Sequence, residues 1–214
     1  MPSVSNSRRP NILWICTDQQ RFDTIASMGN PHIRTPNLDR LVASGVAFEN
    51  AYCQSPVCTP SRASFLTGMY PSAIAVNGNG IPEFPSCYAD RLVPRRLSDS
   101  GYECGLVGKL HLASAHRGQE KRVKDGYGDF HYSHSSRGPE VPGNEYRDWL
   151  ADQGYDPAAL MEPQLQNTNY RAGAFRKRGG LAIPTKDRDN APQYLHQSHW
   201  CVDRAIEFIS DHEE

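Results

Sequence analysis

Short apolar runs alternate with helical patterns in the first half of this chain, and that alternation restricts the possible folds more than any other feature. Residues 11–17 and 102–107 are continuous apolar runs, as expected for strands that are buried on both faces of a sheet. Residues 46–52 form a third strand-like run. Helical patterns lie between these runs, at residues 36–44, 60–67 and 90–98. Strands that alternate with helices favour an α/β fold with a largely parallel sheet.

Proline residues predict the starts of two of these helices. Thr35 is the expected N-cap of the first helix, with Pro36 as its first residue. Pro60 is expected to open the second, because proline has no N–H to leave unpaired at the first helical position. Cys58 would then stand just ahead of a helix N-terminus, where free N–H groups and the helix dipole favour negative charge, and Arg62 adds a cation. The segment is therefore expected to hold an anion beside a reactive group.

The rest of the chain shows fewer patterns. The third helical pattern carries Leu92, Val93 and Leu97 as one apolar stripe. From residue 113 to about residue 185 the chain is rich in Gly, Pro, Arg, Ser and Tyr, and only residues 146–153 look helical. Such a long irregular stretch in a compact domain is usually functional or disordered. Residues 192–213 predict a long helix, with no further strand to pack against its apolar face (Tyr194, Cys201, Ala205, Phe208 and Ile209). No repeat or second domain boundary is visible, so we expect one domain.

The composition is that of a soluble globular protein, and it excludes several classes of partner. Hydrophobic residues make up 38% of the chain, charged residues make up 22%, and the formal net charge is -1. This balance gives no general electrostatic basis for binding to nucleic acid or to a membrane. The apolar run at residues 11–17 is too short to span a membrane, and no small-residue cleavage site follows it. We expect a cytoplasmic protein, with a removed leader peptide as the alternative.

The six cysteines are scattered and lack the dense spacing of a disulfide framework. Cys16 and Cys104 lie in apolar strand-like runs, where cysteine is most often a small buried hydrophobe. Cys53 and Cys58 could form half of a zinc site, but the sequence contains no matching second cysteine pair or histidine pair. A zinc site is therefore not the expected role of Cys58.

Polar side chains directly follow two of the predicted strands. Asp18 and Gln19 follow the first strand, and Lys109 and His111 follow the last. Because ligands of parallel α/β sheets bind beyond the carboxyl ends of the strands, we expect these four residues at one rim. Oxygen ligands such as a carboxylate and an amide suit calcium or magnesium rather than softer metals.

The segment from Cys58 to Arg62 is a third candidate for the same rim. The rim would then hold a pair of hard oxygen ligands, a nucleophile, two cations and an imidazole. A metal ion, Arg62 and Lys109 around one point would bind and polarise a tetrahedral oxyanion such as sulfate or phosphate.

The segment CTPSR at residues 58–62, which continues to Leu-Thr-Gly at residues 66–68, resembles the signature of the type I sulfatases of the alkaline-phosphatase-like superfamily. Three further stretches resemble the family's first strand with its metal ligand, its first helix and second strand, and its strand that ends in Gly-Lys-x-His (residues 10–19, 35–50 and 101–111). The likeness covers residues 10–111, with a weaker similarity in the helix near residue 200. Several motifs in the right order make it highly specific.

This resemblance implies a fold and a division of the chain. The fold would be alkaline-phosphatase-like, with a largely parallel central sheet, helices on both faces, and an incomplete C-terminus. Residues 1–214 would be the N-terminal part of a sulfatase catalytic domain. Residues 10–111 would supply the core and the motifs, residues 112–190 an irregular insertion on the substrate side, and residues 191–214 a helix. Family members are considerably longer, so a second metal-ligand pair, a histidine and a lysine would be absent, and the isolated chain is expected to be inactive.

The resemblance also implies that Cys58 is modified. In the family, a maturation enzyme oxidises the motif cysteine to formylglycine, an aldehyde that hydrates to a geminal diol. One hydroxyl, activated by the metal, attacks sulfur and displaces the alcohol. The second hydroxyl is then deprotonated, which expels sulfate and regenerates the aldehyde. The expected partners are therefore a small sulfated substrate and a formylglycine-generating enzyme.

The same resemblance implies a metal site. Asp18 would ligate the ion, with Gln19 as the second ligand and an oxygen of the modified Cys58 as the third. The implied ion is Ca²⁺, with Mg²⁺ as the alternative. Many sulfatases have a second aspartate where this chain has Gln19, and glutamine stands there in choline-sulfatase-like and phosphonate-monoester-hydrolase-like members. A phosphonate or phosphate ester hydrolase therefore stays open as an alternative, although Ser61 favours a sulfatase.

Three more roles follow from the resemblance. Arg62 would stabilise the deprotonated diol, Lys109 would hold substrate oxygens and the nucleophile, and His111 would assist the elimination. Ser135 or Ser136 could touch the substrate, but an ordinary polar loop is the simpler interpretation.

Two further interpretations are a second metal motif at the end of the chain and a chain without catalytic activity. Asp211 and His212 have the residue types of a second metal motif, but they end an amphipathic helix instead of following a buried strand, so we expect an exposed helix end. A catalytically silent fragment that acts only as a binding module is the alternative from another functional class. The complete set of first-half catalytic residues argues against it. The sequence identifies neither the sulfated alcohol nor the oligomeric state.

Overall fold

Residue contacts divide the chain into two units, Met1–Tyr52 and Cys53–Glu214, each of which is described by itself. The computed structural model of the chain describes residues 9–18, 20–115, 118–134, 143–157 and 192–213. Within these ranges, none of the helices combines the length and the apolar character that crossing a membrane requires. A single domain and a cytoplasmic location stay predictions.

In the N-terminal unit, helix α1 (Pro36–Ser44) follows a single-turn 3-10 helix (Ala26–Met28). Thr35 is at the N-cap position and a proline is the first helical residue, which confirms the predicted start of α1. The Thr35 hydroxyl makes no capping bond to α1. It accepts the N–H of Ala26 at 2.8 Å and donates to the Asp39 carboxylate at 2.9 Å. Thr35 therefore fastens the start of α1 to the 3-10 helix.

The two apolar runs of the N-terminal unit, residues 11–17 and 46–52, are not strands. Side chains in the first run are exposed, from 58% at Ile12 to 75% at Ile15. Hydrogen bonding to a neighbouring strand is what stabilises an extended segment as part of a sheet. In the described part of this unit no strand is present to pair with either run. The prediction of strands at these two places is wrong. Apolar composition alone does not make a strand when no neighbouring strand is present to accept and donate its backbone hydrogen bonds.

The C-terminal unit contains the sheet. Its helices and strands in the described residues are α2 (Cys58–Thr67), α3 (Val93–Asp99), β1 (Gly105–Gly108), β2 (Asp129–Tyr132), α4 (Glu145–Asp152) and α5 (Gln197–Asp211). Short 3-10 helices lie at Pro71–Ile74, Ser86–Arg91 and Gln193–Leu195. The structure confirms the predicted helix at residues 146–153 and a strand in the predicted run at residues 102–107, although β1 begins only at Gly105 and extends to Gly108. Strand β2 lies inside the stretch that the sequence predicts to be irregular, so that stretch is not irregular throughout.

The helix predicted at residues 90–98 is divided. A 3-10 helix ends at Arg91, and α3 begins at Val93 with Pro94 in its first turn. A continuous helix would need an N–H from residue 94, which proline does not have. Leu92 is buried, but Val93 is 46% exposed, so the predicted apolar stripe includes one residue that does not face the core.

Strands β1 and β2 pair in parallel, with Leu106 opposite Phe130. Leu106 packs against the apolar cluster that contains Ala63 of α2, and Val107 packs against the cluster that contains Trp200 of α5. Successive side chains of a strand point to opposite faces of its sheet. Helices α2 and α5 therefore cover opposite faces, which confirms the predicted α/β arrangement of a parallel sheet with helices on both faces.

Helix α5 packs directly on β1. A methyl group on Gly105 would lie 2.8 Å from the ring of Phe208, and one on Gly108 would lie 3.4 Å from the Cys201 sulfur. The expectation that this helix has no strand to pack against is therefore wrong. The face that the sequence predicts is only partly buried, because Tyr194 and Ile209 are exposed.

The contact between α5 and β1 predicts a stability change. Gly105→Ala is expected to lower the free energy of unfolding by about 1–3 kcal/mol, because the added methyl group overpacks the contact with Phe208. Gly128→Ala is the matched control, since its new methyl group would meet nothing closer than the Cys104 carbonyl at 4.0 Å. Urea denaturation of the two variants measures the difference. Equal midpoints would contradict the packing of Phe208 on the strand.

Candidate active site

Helix α2 begins at Cys58, with Val57 at the N-cap position, rather than at Pro60 as the sequence predicts. The first hydrogen bond of the helix runs from the Ser61 N–H to the Val57 carbonyl at 3.0 Å. A proline at the third position therefore loses nothing, because N–H groups of the first turn have no partner within the helix. Cys58 thus belongs to the first helical turn, where it is half-buried beside the buried Thr59.

Two side chains from outside α2 hold it by hydrogen bonds, one at its first turn and one near its middle. The Thr59 N–H donates to the Asn79 side-chain oxygen at 2.9 Å, and the Ser64 hydroxyl donates to the Gln54 side-chain oxygen at 3.1 Å. The first bond satisfies one of the N–H groups that a helix start leaves unpaired. Sequence reasoning missed Asn79, because it caps the helix from the following loop rather than from the preceding residue.

The Arg62 side chain connects α2 to the end of β1. Its guanidinium Nη1 donates a hydrogen bond to the backbone carbonyl of Lys109. The structure therefore brings together Arg62 and the turn that carries Lys109 and His111, as the sequence predicts for the rim. The contact uses the Lys109 backbone, which the sequence did not indicate.

The turn after β1 places His111 in an unusual backbone conformation. His111 has a φ of 54°, in the left-handed region that residues other than glycine seldom adopt. Such conformations persist where the surrounding structure enforces them, often at functional sites. The side chain is buried, at 8% exposure, and its ring meets the ring of His134 edge-on, with centroids 4.2 Å apart.

His134 is a residue of this site that sequence reasoning missed. Gly108 and Tyr132 are paired at the ends of β1 and β2, and the Ser133 N–H donates to the Gly108 carbonyl at 2.9 Å. Residues that follow the two strands therefore lie at the same edge of the sheet. The rule that placed Lys109 and His111 there applies equally to His134, but it could not be used because β2 was not predicted.

Glu120 is the second residue of this site that the sequence did not indicate. Its carboxylate is 3% exposed and accepts the N–H of His111 at 2.5 Å and the N–H of Ala113 at 3.0 Å. Burial raises the pKa of this carboxyl, while its hydrogen bonds to backbone N–H groups and the charge of Arg62 act in the opposite direction. Glu120 stands in the polar sequence RGQEK, which is typical of an exposed loop. No sequence pattern distinguishes it.

The raised pKa of Glu120 predicts a pH effect on stability. The folded protein binds this proton more tightly than the unfolded chain, so the contribution of Glu120 to stability is largest below its ordinary pKa of 4.5 and is lost as the pH rises through the raised value. Glu120→Gln removes the titration. The free energy of unfolding of the wild type, relative to the variant, is therefore expected to decrease from pH 4.5 towards neutral pH. Chemical denaturation across this range measures it, and a constant or increasing difference would contradict the buried environment.

The predicted metal ligands do not all lie within one unit or within the described residues. Asp18 is exposed and lies in the N-terminal unit, whereas Cys58 lies in the C-terminal unit. Gln19 lies outside the described residues, as do Ser135 and Ser136. In the described part of the chain, no group of three or more His, Cys, Asp and Glu side chains is arranged to hold a metal ion. The metal site stays a prediction.

Asp211 and His212 form an exposed helix end, as the sequence predicts. Asp211 is the final residue of α5 and His212 follows it, and both are exposed. The His212 Nδ1 lies 2.7 Å from the Phe208 carbonyl, which places this ring at the helix end.

Comparisons with known proteins agree on one family. The family model described as Sulfatase matches residues 10–167. Human N-acetylgalactosamine-6-sulfatase is 35% identical over 164 residues, which cover 65% of this chain and 30% of that protein. An arylsulfatase of Clostridium perfringens is 28% identical over 211 residues, which cover 94% of this chain and 40% of that protein. The chain thus spans well under half the length of these curated relatives.

A solved structure shows the same fold. The crystal structure of yidJ from Bacteroides fragilis, described as a candidate sulfatase, superposes with a TM-score of 0.50 at 19% identity, covering 90% of this chain and 55% of that one. At this level of identity the likeness shows the fold alone.

Proposed function

Because this chain belongs to the sulfatase family, we propose that it supplies the nucleophile and the anion-binding side chains of a site that hydrolyses sulfate monoesters. The observation that carries the proposal is the hydrogen bond from Arg62 to the Lys109 carbonyl. It joins the helix that begins at Cys58 to the turn that holds His111. The relatives named arylsulfatase and N-acetylgalactosamine-6-sulfatase support sulfate esters as the substrate class.

We assign the chemical roles to the residues that this contact brings together. Cys58 is the precursor of a formylglycine, whose hydrate supplies a hydroxyl that attacks sulfur. Its place in the first turn of α2 lies at the positive end of the helix dipole, which favours the negative charge of the reacting group. Arg62 and Lys109 add two positive charges for the sulfate oxygens. His111 takes up a proton when sulfate is released.

Ca²⁺, with Mg²⁺ as the alternative, is the proposed cofactor, held by Asp18, Gln19 and an oxygen of the modified Cys58. Carboxylate, amide and hydroxyl oxygens are the donor types that these ions prefer, and the bound ion would supply positive charge to the sulfate oxygens. Three donors are fewer than the roughly six to eight oxygens that Ca²⁺ takes. The donors named here are therefore a partial set, and we assign no catalytic step to the ion.

A phosphonate or phosphate ester hydrolase is the second candidate, because Gln19 stands where many sulfatases have an aspartate. The same nucleophile and the same cations would serve a phosphoryl centre, which is also tetrahedral and anionic. The two candidates differ in the ester that is hydrolysed faster, so substrate competition separates them.

The test expresses residues 1–214, and any longer protein that carries them, together with a formylglycine-generating enzyme. Each is supplied with Ca²⁺ and assayed in parallel with an aryl sulfate and a phosphonate monoester. The isolated chain is expected to be inactive because its donor set is partial, and the longer protein is expected to prefer the sulfate. A preference for the phosphonate would establish the second candidate. If the longer protein hydrolyses neither ester although its Cys58 is fully converted to formylglycine, the remaining interpretation is a catalytically silent protein that acts only as a binding module.

A further inference from the structure

Two oppositely charged side chains hold the turn after β1 from two directions. Arg62 donates to the carbonyl of Lys109, and Glu120 accepts the N–H groups of His111 and Ala113. The turn carries two of the proposed functional side chains, and both ends of its backbone are fixed by groups from other parts of the chain. Charged groups make stronger hydrogen bonds than neutral ones, so this clamp is stiffer than an ordinary turn.

The backbone of the turn needs such a clamp. His111 is in the left-handed region, where a side chain with a Cβ is strained, and its ring is packed edge-on against His134. A turn without restraint would relax towards a commoner conformation and move the imidazole. Both oxygens of the Glu120 carboxylate bind N–H groups on either side of that strained position.

Burial makes Glu120 an unusual choice for a purely structural contact. The side chain is 3% exposed, and an acidic group removed from water is unfavourable unless its oxygens are hydrogen-bonded. The partners that satisfy it are the backbone N–H groups of the turn, rather than an arginine or lysine side chain on the surface.

We propose that Glu120 is a positioning residue, which fixes the backbone at His111 and thereby sets the place of its imidazole, and of Lys109, in the active site. The catalytic meaning of this position rests on the proposed sulfatase function. Glu120 itself touches no substrate. Its effect passes through the N–H groups of residues 111 and 113.

Asp125 is a matched control for this proposal. It is 1% exposed, and its carboxylate pairs with the Arg122 guanidinium at 2.6 and 2.8 Å and accepts the N–H of Tyr127 at 3.1 Å. Neither Arg122 nor Tyr127 belongs to the turn at residues 109–113. Asp125→Asn therefore removes a buried carboxylate of similar burial without removing a bond to His111 or Ala113.

The experiment uses residues 1–214 at pH 8 and compares Glu120→Gln with Asp125→Asn. Amide hydrogen exchange is measured at residues 111, 113 and 127, and the ring signals of His111 and His134 are recorded by NMR on histidine-labelled protein. Glu120→Gln is expected to speed exchange at residues 111 and 113 by about tenfold or more, since bonds to a charged acceptor are lost. It is also expected to shift the His111 ring signals away from the values set by the His134 ring. Asp125→Asn is expected to change residue 127 and leave the His111 ring signals unchanged.

Two results would overturn the proposal. One is exchange at residues 111 and 113 that stays within about twofold of the wild type in Glu120→Gln, a change small beside the tenfold expected. The other is a shift of the His111 ring signals that is equal in the two variants, because Glu120 would then act only through stability. If Glu120→Gln does not fold, amide exchange of the wild type tests the proposal instead. Amides at residues 111 and 113 that exchange without protection in the wild type would also overturn it.

These readouts need no hydrolysis, so they separate this proposal from the proposed function. A chain that shows the expected exchange and ring shifts, but whose longer form hydrolyses no sulfate ester, would contradict the sulfatase assignment and keep Glu120 as the residue that fixes the turn. If the longer form hydrolyses sulfate esters but Glu120→Gln leaves the turn unchanged, the sulfatase assignment stands and the positioning role of Glu120 is contradicted.

Discussion

Replacing Cys58 with alanine is expected to leave the protein folded, to prevent formylglycine formation, and to abolish sulfate ester hydrolysis by a longer, active protein that carries this chain. The side chain is half-buried in the first turn of α2, where alanine is well tolerated and only a small group is lost. In the proposed mechanism the chemistry depends on that group, because alanine offers the maturation enzyme no thiol to oxidise. Cys58→Ser tests the mechanism further. A serine hydroxyl could attack sulfur, but it has no second hydroxyl whose deprotonation would expel the sulfate.

Mass spectrometry of the tryptic peptide that contains Cys58 measures this prediction. The chain is co-expressed with a formylglycine-generating enzyme, and the peptide should lose its thiol and react with an aldehyde probe. Cys53→Ala is the control, since Cys53 is exposed, lies outside the CTPSR motif and should not affect conversion. An unmodified Cys58 in cells that convert a known substrate of the same enzyme would refute the proposed nucleophile.

Replacing His111 with alanine is expected to slow turnover by about 10²–10⁴, the usual contribution of general acid–base catalysis. The loss should fall on sulfate release, because His111 is assigned to the proton transfer of that step. Separate assays of the released alcohol and the released sulfate in the active protein measure it, and an early burst of alcohol without sulfate is the expected signature. Turnover within about twofold of the wild type would show that the role is wrong.

The strained backbone at His111 calls for a second variant. Alanine is disfavoured in the left-handed region, so part of the loss in His111→Ala could come from a moved turn. Asparagine tolerates that region, and His111→Asn therefore removes the imidazole with less disturbance of the backbone. Equal losses in the two variants would assign the effect to the imidazole. His212→Ala, at the exposed end of α5, is the surface control.

The strand predictions from sequence are correct only where a neighbouring strand is present to pair with the predicted one. The runs at residues 102–107 and 11–17 have similar apolar composition, yet only the first contains a strand. Strand β1 pairs with β2 and is covered by α5, whereas the described part of the N-terminal unit offers no ladder to residues 11–17. Sequence reasoning overlooked β2 because its four residues, DFHY, carry two polar side chains and no apolar run. His131 of β2 is held by Glu145 at 2.8 Å, a contact that no local pattern reveals.

The candidate site shows the same limit. The motif at Cys58 and the strand-end rule correctly predicted that Arg62 and the turn at Lys109 lie together. Neither indicated Glu120 or Asn79, since both are polar residues in loops and act on the backbone of distant segments. Motifs identify side chains that take part in chemistry, whereas the groups that hold the backbone in place become visible only in three dimensions.

The double attachment of the turn after β1 affects how kinetic data on Arg62 should be interpreted. Arg62 has a positive charge for the anion and a hydrogen bond to the Lys109 carbonyl, so a variant loses both at once. Arg62 and Glu120 act on the same few peptide groups, and losses within one network are not additive, with interaction energies of about 0.5–3 kcal/mol. A double-mutant cycle of these two residues would therefore give a non-zero coupling energy, even though one residue faces the proposed anion and the other never does.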